Sequence, residues 1–440
     1  MIRDLWTRLS NNPDYLWSIV SSYGHMGLNI ILQIALVPFY LRHMEKTEFG
    51  ILMIVLAGIN YLGMGVAWIS SGGQRILGEQ YAQNETAELT RTYGLMKLLF
   101  CGYALVAAVG VLLSVWLLQG IFFGDDSVLR DATLTMLMIG GIYLVLLYDI
   151  NVDRLVLIAT GHQFQANLLN ILSLVVFAGA VFPVILNGWG LIGVMGALLG
   201  GVIVARLVAY MVLLRYRLHI RLPRLGAGSP ERDVLKRLMG PMGLGYAAYG
   251  VFLLTLLQAD TLILGMIGSA ALVADFILVW KIADVAMQLL WRLPETLVPY
   301  LIQMDAKGEG ERMHNLFSLG QKTMVALAAL AALLYALFGQ NIVELWVGAE
   351  NTPDLPWAYA LAGGAIFWMV IARLPAVYAF SRVQLKPLVM VTGLETVGKV
   401  ILLFALFPVL GLYAPMAAIN IVHILGIAWL YQRLHRPETT

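Results

Sequence analysis

The chain has few charged residues and only one cysteine. Asp, Glu, Lys and Arg make up 12% of its 440 residues, whereas 60% are hydrophobic. The lone Cys101 excludes an internal disulfide and a cysteine-rich metal site. We also find no nucleotide-binding motif and no metal-ligand cluster in the sequence, and therefore expect no cofactor. Such an apolar composition is not that of a soluble globular domain and indicates a membrane protein.

Apolar runs long enough to cross a bilayer recur along the whole chain, which predicts an all-α polytopic membrane protein with about twelve transmembrane helices. The first span is expected from Asp14 to Leu41 and the second from Glu48 to Gly73, followed by a polar inner segment from Gln74 to Thr92. The other ten spans are expected near 93–119, 133–159, from 168, from 191, and near 239–265, 271–301, 318–339, 357–380, 388–409 and 411–432. Residues 1–12 are expected to be an amphipathic surface segment and not a cleavable signal.

A basic linker at 215–238 divides the chain into an N-terminal six-helix lobe, 1–214, and a C-terminal six-helix lobe, 239–440. The two lobes share a weak sequence similarity. The matching positions are Trp68 and Gln80 against Trp291 and Gln303, and Arg154-Leu155 against Arg373-Leu374. Because six is an even number, both lobes have the same orientation, as expected for parallel repeats about an axis along the membrane normal.

The distribution of Lys and Arg predicts the orientation in the membrane. If both termini are cytoplasmic, the inner loops receive the basic linker, Lys97 and most of the other cations. The outer loops then receive only Arg42, Lys46 and Arg130. The reverse orientation would violate the positive-inside rule, so both termini are predicted to be cytoplasmic.

The segment 271–301 carries charges at helical spacing within an apolar run. After Lys281, the next polar residues follow at offsets of three, seven, eleven and fourteen, which places them on one stripe of a helix. They are Asp284, Gln288, Arg292 and Glu295. A helix of this length extends about 45 Å and crosses the bilayer. Charges are costly in lipid, so the stripe must face protein or a water-filled cavity, as in the polar pathway of a transporter.

The first eighty residues contain a recognisable set of motifs. Leu36-Val37-Pro38-Phe39-Tyr40-Leu41 ends the first span, Glu48-Phe49-Gly50 opens the second, Gly63-Met64-Gly65 lies inside it, and Glu79-Gln80-Tyr81-Ala82 follows. This pattern resembles the opening of the O-antigen and exopolysaccharide flippases (Wzx-like) of the multidrug/oligosaccharidyl-lipid/polysaccharide exporter superfamily. Length and helix count match over the whole chain. Many relatives have an acidic residue where this chain has Gly63, so the resemblance does not extend to that position.

The resemblance implies a transporter that flips an undecaprenyl-diphosphate-linked oligosaccharide from the inner to the outer leaflet for surface polysaccharide (lipopolysaccharide or exopolysaccharide) synthesis. It implies a multi-pass protein of the bacterial inner membrane. Expected partners are the lipid-linked oligosaccharide, membrane lipids, and polysaccharide polymerase and chain-length proteins, but no nucleic acid.

Such a substrate has a diphosphate that must leave bulk water, and Arg and Lys in a sheltered cavity would offset its desolvation. Lys281 and Lys399 are the first candidate ligands because both are expected near the middle of the membrane. Four arginines lie toward the inner side and are candidates for capturing the headgroup: Arg292, Arg373, Arg154 and Arg206. The candidates for ion coupling are Asp284, Glu295, Glu395 and His25.

Structural roles also fit these residues. Lys281 with Asp284, Arg292 with Glu295, and Glu395 with Lys399 have the spacing of ion pairs along a single helix. Snorkelling and the positive-inside bias explain arginines near the inner ends of helices. A lone histidine such as His25 is more often a packing group than a proton carrier.

Two other functions stay open from the sequence. A cation-coupled multidrug exporter of the same superfamily would share the two-lobe architecture. It would usually need a buried carboxylate in the first lobe, and the first helix has no acid between Asp14 and Glu45, although Asp149 and Asp153 lie in the fourth. A membrane polysaccharide polymerase or ligase would need a large outer loop, and the predicted outer loops at 120–131 and 340–356 are too short. We therefore expect a transporter and no enzyme.

Overall fold

A computed structural model describes residues 13–62, 66–117, 127–216, 230–306, 308–382 and 384–434. All regular elements in these ranges are helices, so the predicted all-α fold class is confirmed. The α-helices are α1 Pro13–His43, α2 Lys46–Leu62, α3 Ala67–Ala82, α4 Thr86–Leu117, α5 Ser127–Ala159, α6 Gln163–Leu186, α7 Gly190–Arg215, α8 Pro230–Leu238, α9 Pro241–Ile267, α10 Ala270–Ala306, α11 Gly310–Val347, α12 Pro356–Ser381, α13 Leu385–Leu410 and α14 Ala414–Leu434. Single 3₁₀ turns are formed by Ala349–Asn351 and Gly411–Tyr413.

Some sequence predictions concern residues outside these ranges. They include the amphipathic segment at 1–12, the Gly63-Met64-Gly65 motif and the central part of the basic linker, 217–229. The side chains of Trp68 and Gln303, which belong to the proposed internal repeat, are likewise outside the described part of the chain.

The membrane-spanning character follows from the length and hydropathy of the helices. Within the described residues, nine apolar runs are long enough to cross a membrane, and one of them, Lys386–Ile427, covers both α13 and α14. Two further predicted spans have helices at the expected places. The second predicted span, Glu48–Gly73, covers most of α2 and the start of α3 in the sequence, and the eighth is the charged helix α10. The chain is therefore a multi-pass membrane protein.

The structure corrects the sequence prediction around the second span. The polar segment predicted at Gln74–Thr92 is mostly helical, because α3 continues to Ala82 and α4 already begins at Thr86. The turn between the two helices contains Asn84, whose φ of 59° lies in the left-handed region that asparagine tolerates better than most residues. The hydrophilic residues of this segment lie on helices, and hydropathy alone does not separate a polar helix end from a loop.

The chain divides into two compact units. The first comprises Met1–Met44 and Leu62–Ala247, and the second comprises Glu45–Tyr61 and Ala248–Thr440. Most of helix α2 thus belongs to the second unit, whereas the sequence analysis had assigned it to the N-terminal lobe. The basic linker also differs from the prediction of a loop, because residues 230–238 form helix α8.

Each unit has a helix that contacts most of the others. In the first unit, α5 packs against α3, α4, α6 and α7. In the second, α12 packs against α10, α11 and α14, and it is the most buried of the candidate spans, at 56% compared with 22–33% for the others. Small residues on α12 permit this close packing, since a Cβ added at Gly363 would lie 2.6 Å from the carbonyl oxygen of Ala332 on α11.

Candidate functional site

The charged stripe of α10 exists as predicted, and its side chains form local ion pairs. Lys281 Nζ lies 3.8 Å from Asp284 Oδ2, and Gln288 Nε2 donates a hydrogen bond of 2.9 Å to the same oxygen. About one turn after Gln288, Arg292 Nη1 lies 3.0 Å from Glu295 Oε2. The helical repeat places residues three and four apart next to each other, which is why the i,i+3 pairs form.

Arg373 of α12 joins this stripe from a neighbouring helix of the same unit. Its Nη2 lies 2.7 Å from Glu295 Oε1, so Glu295 binds two arginines at once. The Arg373 guanidinium also lies over the ring of Trp291, 5.5 Å from its centroid, and the indole nitrogen donates to the carbonyl oxygen of Met369. Trp291 therefore has a cation–π contact within the site.

The site is net cationic and only partly buried. It contains three cations, Lys281, Arg292 and Arg373, and two carboxylates, Asp284 and Glu295, which leaves one excess positive charge. The exposed fractions of these side chains range from 22% for Lys281 to 52% for Arg292. Charged groups with this exposure on membrane-spanning helices need a polar environment, because lipid cannot solvate them. We call these five residues the α10 cluster.

Lys399 of α13 is not part of the α10 cluster. It is 2% exposed, and its Nζ lies 2.6 Å from Oδ2 of Asp260 on α9 and also donates to the carbonyl oxygen of Leu256. The i,i+4 spacing predicts Glu395 as the ion-pair partner of Lys399, but Lys399 pairs with Asp260. A lysine side chain is long enough to reach the neighbouring helix, where an acid and a carbonyl oxygen lie together. In this conformation Lys399 stabilises the packing of α13 on α9.

The first unit contains a second group of charged side chains, which come from α4, α5 and α7. Lys97 Nζ lies 2.6 Å from Asp149 Oδ1 and 2.7 Å from Asp153 Oδ1. Arg206 pairs with both carboxylates from the other side, and the hydroxyl of Tyr93 donates to Asp153. Two cations balance two acids, so this group is electrically neutral. Charge-assisted hydrogen bonds between three helices stabilise their packing.

The structure places two residues of this group, Lys97 and Arg206, differently from the sequence predictions. Lys97 is 7% exposed and lies inside α4, whereas the sequence analysis placed it in an inner loop. Arg206 was a candidate for capturing the headgroup, and the structure places it beside Asp149 and Asp153. The remaining candidates of the first unit lie elsewhere. Arg154 donates a hydrogen bond of 2.8 Å to Asn151 within α5, and His25 is a half-buried residue of α1.

Glu395 has a different environment from the other acids. It is 8% exposed and lines a cavity of about 60 Å³ inside the second unit, together with Tyr249, Trp291, Arg373 and His423. Among the described residues, its carboxyl group has neither an ion pair nor a hydrogen bond. Across the described ranges, no three metal-ligating side chains come together.

Sequence reasoning missed Asp260 and the buried position of Lys97. Both lie in apolar helices, and each partner is remote in the sequence, at a separation of 139 residues for Lys399 and Asp260 and 52 for Lys97 and Asp149. The one available signal was the presence of a lone charge in a long apolar run, which requires an opposite charge on a neighbouring helix.

Comparison with known proteins identifies the fold. The sequence matches no protein-family model and no curated protein. A multidrug resistance MATE family transporter of the MOP superfamily in an inward-facing conformation has a TM-score of 0.72 at 15% identity, covering 92% of this chain and 94% of that chain. An outward-facing structure of such a transporter has a TM-score of 0.65 at 15% identity, with 97% and 96% covered.

A further solved structure is a MOP superfamily transporter from Pyrococcus furiosus, described as having a binding pocket of reverse polarity that suggests a different function. Its TM-score is 0.58 at 14% identity, with 96% of this chain and 94% of that chain covered. These likenesses extend over nearly the entire length of both chains. At such low identity they concern the fold alone, and the chain has the fold of MATE transporters.

Proposed function

We propose that this protein is a transporter that flips an undecaprenyl-diphosphate-linked oligosaccharide from the inner to the outer leaflet by alternating access. The observation that carries the proposal is the α10 cluster. It combines three cations and two carboxylates, all partly exposed, on helices that cross the membrane. A net positive and partly exposed group of side chains suits a diphosphate that has to leave bulk water.

The roles of the individual residues follow from their pairing. Lys281 has the longest ion-pair distance of the cluster, 3.8 Å, so its ammonium group is the least committed to a protein carboxylate. Arg373 presents a planar guanidinium that can form two parallel hydrogen bonds with phosphate oxygens. We assign Lys281 and Arg373 to diphosphate binding and Arg292 to first capture of the headgroup. Lys399 is left out of this binding site because it is buried and paired with Asp260.

A cation-coupled multidrug exporter is the second candidate function. It is favoured by the structures of multidrug resistance MATE transporters with the same fold and by the buried carboxyl group of Glu395, which has no ion pair in the described part of the chain. The two functions differ in the charge of the substrate. A cationic drug would be repelled by the excess positive charge of the α10 cluster, whereas a diphosphate would be attracted.

The first prediction tests Lys281. We expect Lys281→Ala to abolish export of lipid-linked repeat units while the protein remains at normal abundance in the membrane. The lost ion pair contributes little to stability, because its two atoms lie 3.8 Å apart and Gln288 continues to donate a hydrogen bond to Asp284. Lys281→Arg should retain much of the export, since the need is for positive charge. The measurement is surface polysaccharide in a strain whose own flippase has been deleted.

The double variant Lys281→Ala with Asp284→Ala separates binding from a structural role. If Lys281 only neutralised Asp284, removing both would restore export. If it binds the diphosphate, export stays lost although no unpaired acid remains. Recovery of export in the double variant would refute the assignment. Resistance to cationic drugs without any export of repeat units would favour the second candidate function.

A further inference from the structure

The cavity inside the second unit contains polar groups that the α10 cluster does not use. Helices α9, α10, α12, α13 and α14 contribute to its walls, which are mostly apolar. Its volume of about 60 Å³ has room for roughly four waters at about 15 Å³ of accessible volume each. The polar groups facing it are Tyr249, Trp291, Arg373, Thr392, Glu395 and His423.

The carboxyl group of Glu395 lies beside Gly426, in space that a side chain at position 426 would fill. A Cβ built on Gly426 of α14 would overlap Glu395 Oε1, so the absence of a side chain at Gly426 makes room for the carboxyl group. Within the described part of the chain, Glu395 forms no ion pair, although it is 8% exposed. His423, 4% exposed, also has its Nδ1 without a hydrogen-bond partner there. Water in the cavity can solvate both groups.

Among the described residues that line the cavity, Arg373 is the one cation that could pair with an ionised Glu395. Lys399, one turn along α13, is already bound to Asp260 and to the carbonyl oxygen of Leu256. Tyr249 from α9 and His423 from α14 contribute no fixed positive charge. Arg373 from α12 lines the same cavity, and its buried Nε has no hydrogen-bond partner among the described residues. Its Nη2 is meanwhile bound to Glu295 of α10.

We propose that Glu395 is a proton-binding site that controls which carboxylate Arg373 binds. With a proton on Glu395, the cavity holds no negative charge and Arg373 stays beside Glu295 in the α10 cluster. When the proton passes to cavity water, the new carboxylate attracts Arg373 and competes with Glu295 for it. A lone carboxylate is too costly in an apolar surrounding, so it must take either a proton or a cation.

This inference rests on the proposed function in one respect, because Arg373 is also assigned to diphosphate binding. If Arg373 binds the headgroup only when it stays beside Glu295, headgroup binding and proton binding at Glu395 strengthen each other. Linkage requires the effect to be reciprocal, so headgroup binding also causes proton uptake. The site selects a proton over a metal cation, since a single carboxylate beside an arginine provides no negatively charged cage for Na⁺.

The proton site can be tested without any substrate. Infrared difference spectra of the purified full chain, recorded as a function of pH, should contain the C=O stretch of one protonated carboxyl group that is lost on raising the pH. The band should be absent in Glu395→Gln and present in the matched control Glu344→Gln, which changes an exposed glutamate at the end of α11. Gly426→Ala should shift the band, because it displaces the carboxyl group. A band that persists in Glu395→Gln would overturn the proposal.

The control of Arg373 predicts opposite shifts in two variants. Glu295→Gln releases Arg373 toward Glu395, so the carboxyl band should vanish at a pH lower by about one unit or more. Arg373→Met removes the arginine that lines this cavity, so the band should persist to a pH higher by a similar amount. Shifts in the same direction, or no shift in either variant, would refute the exchange of Arg373 between the two acids.

The link to transport is measured with farnesyl diphosphate as a soluble prenyl diphosphate probe. Calorimetric titrations in two buffers should show proton uptake on binding to the native protein and none in Glu395→Gln. Binding without proton uptake in the native protein would overturn the linkage. If the probe does not bind at all, the proposed function fails, and the infrared experiments still decide whether Glu395 is the proton site.

Discussion

The buried pair between Lys399 and Asp260 offers a quantitative prediction, because the chain contains a matched pair with a different exposure. Lys399 Nζ and Asp260 Oδ2 lie 2.6 Å apart, with side chains 2% and 4% exposed. Lys46 Nζ and Asp275 Oδ1 lie at the same distance of 2.6 Å, but their side chains are 41% and 27% exposed. Both pairs join two helices of the second unit. They differ in burial and in the additional hydrogen bond from Lys399 to the carbonyl oxygen of Leu256.

Removing one member of each pair should have very different costs. Lys399→Met leaves Asp260 buried without its cation, which costs about 3–5 kcal/mol. Lys46→Met removes a partly hydrated pair, and about 1 kcal/mol or less should be lost. With a Tm decrease of about 2 °C for each kcal/mol, Lys399→Met should lower the Tm by roughly 6 °C or more. Its abundance in the membrane should fall accordingly.

The measurement is thermal unfolding of the purified variants in one detergent, followed by tryptophan fluorescence. The double variant Lys399→Met with Asp260→Leu serves as the control, since replacing both charges by apolar groups of similar size is often neutral. It should recover most of the Tm lost in the single variant. The reasoning would be refuted if Lys399→Met and Lys46→Met changed the Tm equally, or if the double variant were as unstable as the single one.

Two further predictions concern packing and topology. Gly50→Leu should reduce the amount of folded protein and its transport, because a Cβ at Gly50 overlaps the carbonyl oxygen of Ala270. The control Gly24→Leu should be tolerated, because nothing lies within 4 Å of a Cβ added at Gly24. Equal membrane abundance of the two variants would contradict this prediction. Topology can be tested in a variant that lacks Cys101, with a thiol reagent that does not cross membranes. The reagent should label Glu350→Cys in intact cells and Arg312→Cys only after lysis. The opposite labelling pattern would reverse the predicted orientation.

Helices and their charged faces were predictable because they depend on residues close together in the sequence. Hydropathy placed the span 271–301 almost where α10 lies, Ala270–Ala306. The helical repeat predicted that Lys281 would pair with Asp284, and the structure places the two side chains 3.8 Å apart. Helices α3 and α4 extend farther into Gln74–Thr92 than the predicted spans, because polar residues at a helix end have the same hydropathy as those of a loop.

Ion pairs between helices could not be predicted in the same way. Glu395 has the i,i+4 spacing for a pair with Lys399, yet Lys399 binds Asp260, which is 139 residues away in the sequence. Which acid a buried lysine reaches depends on which helix packs beside it and on how that helix is rotated, and neither is encoded in local periodicity. The same packing leaves Glu395 without an ion pair among the described residues, with its carboxyl group in the space beside Gly426. Hydrophobicity and helical repeat thus specify the membrane helices, and their packing decides which charges are neutralised and which stay available for function.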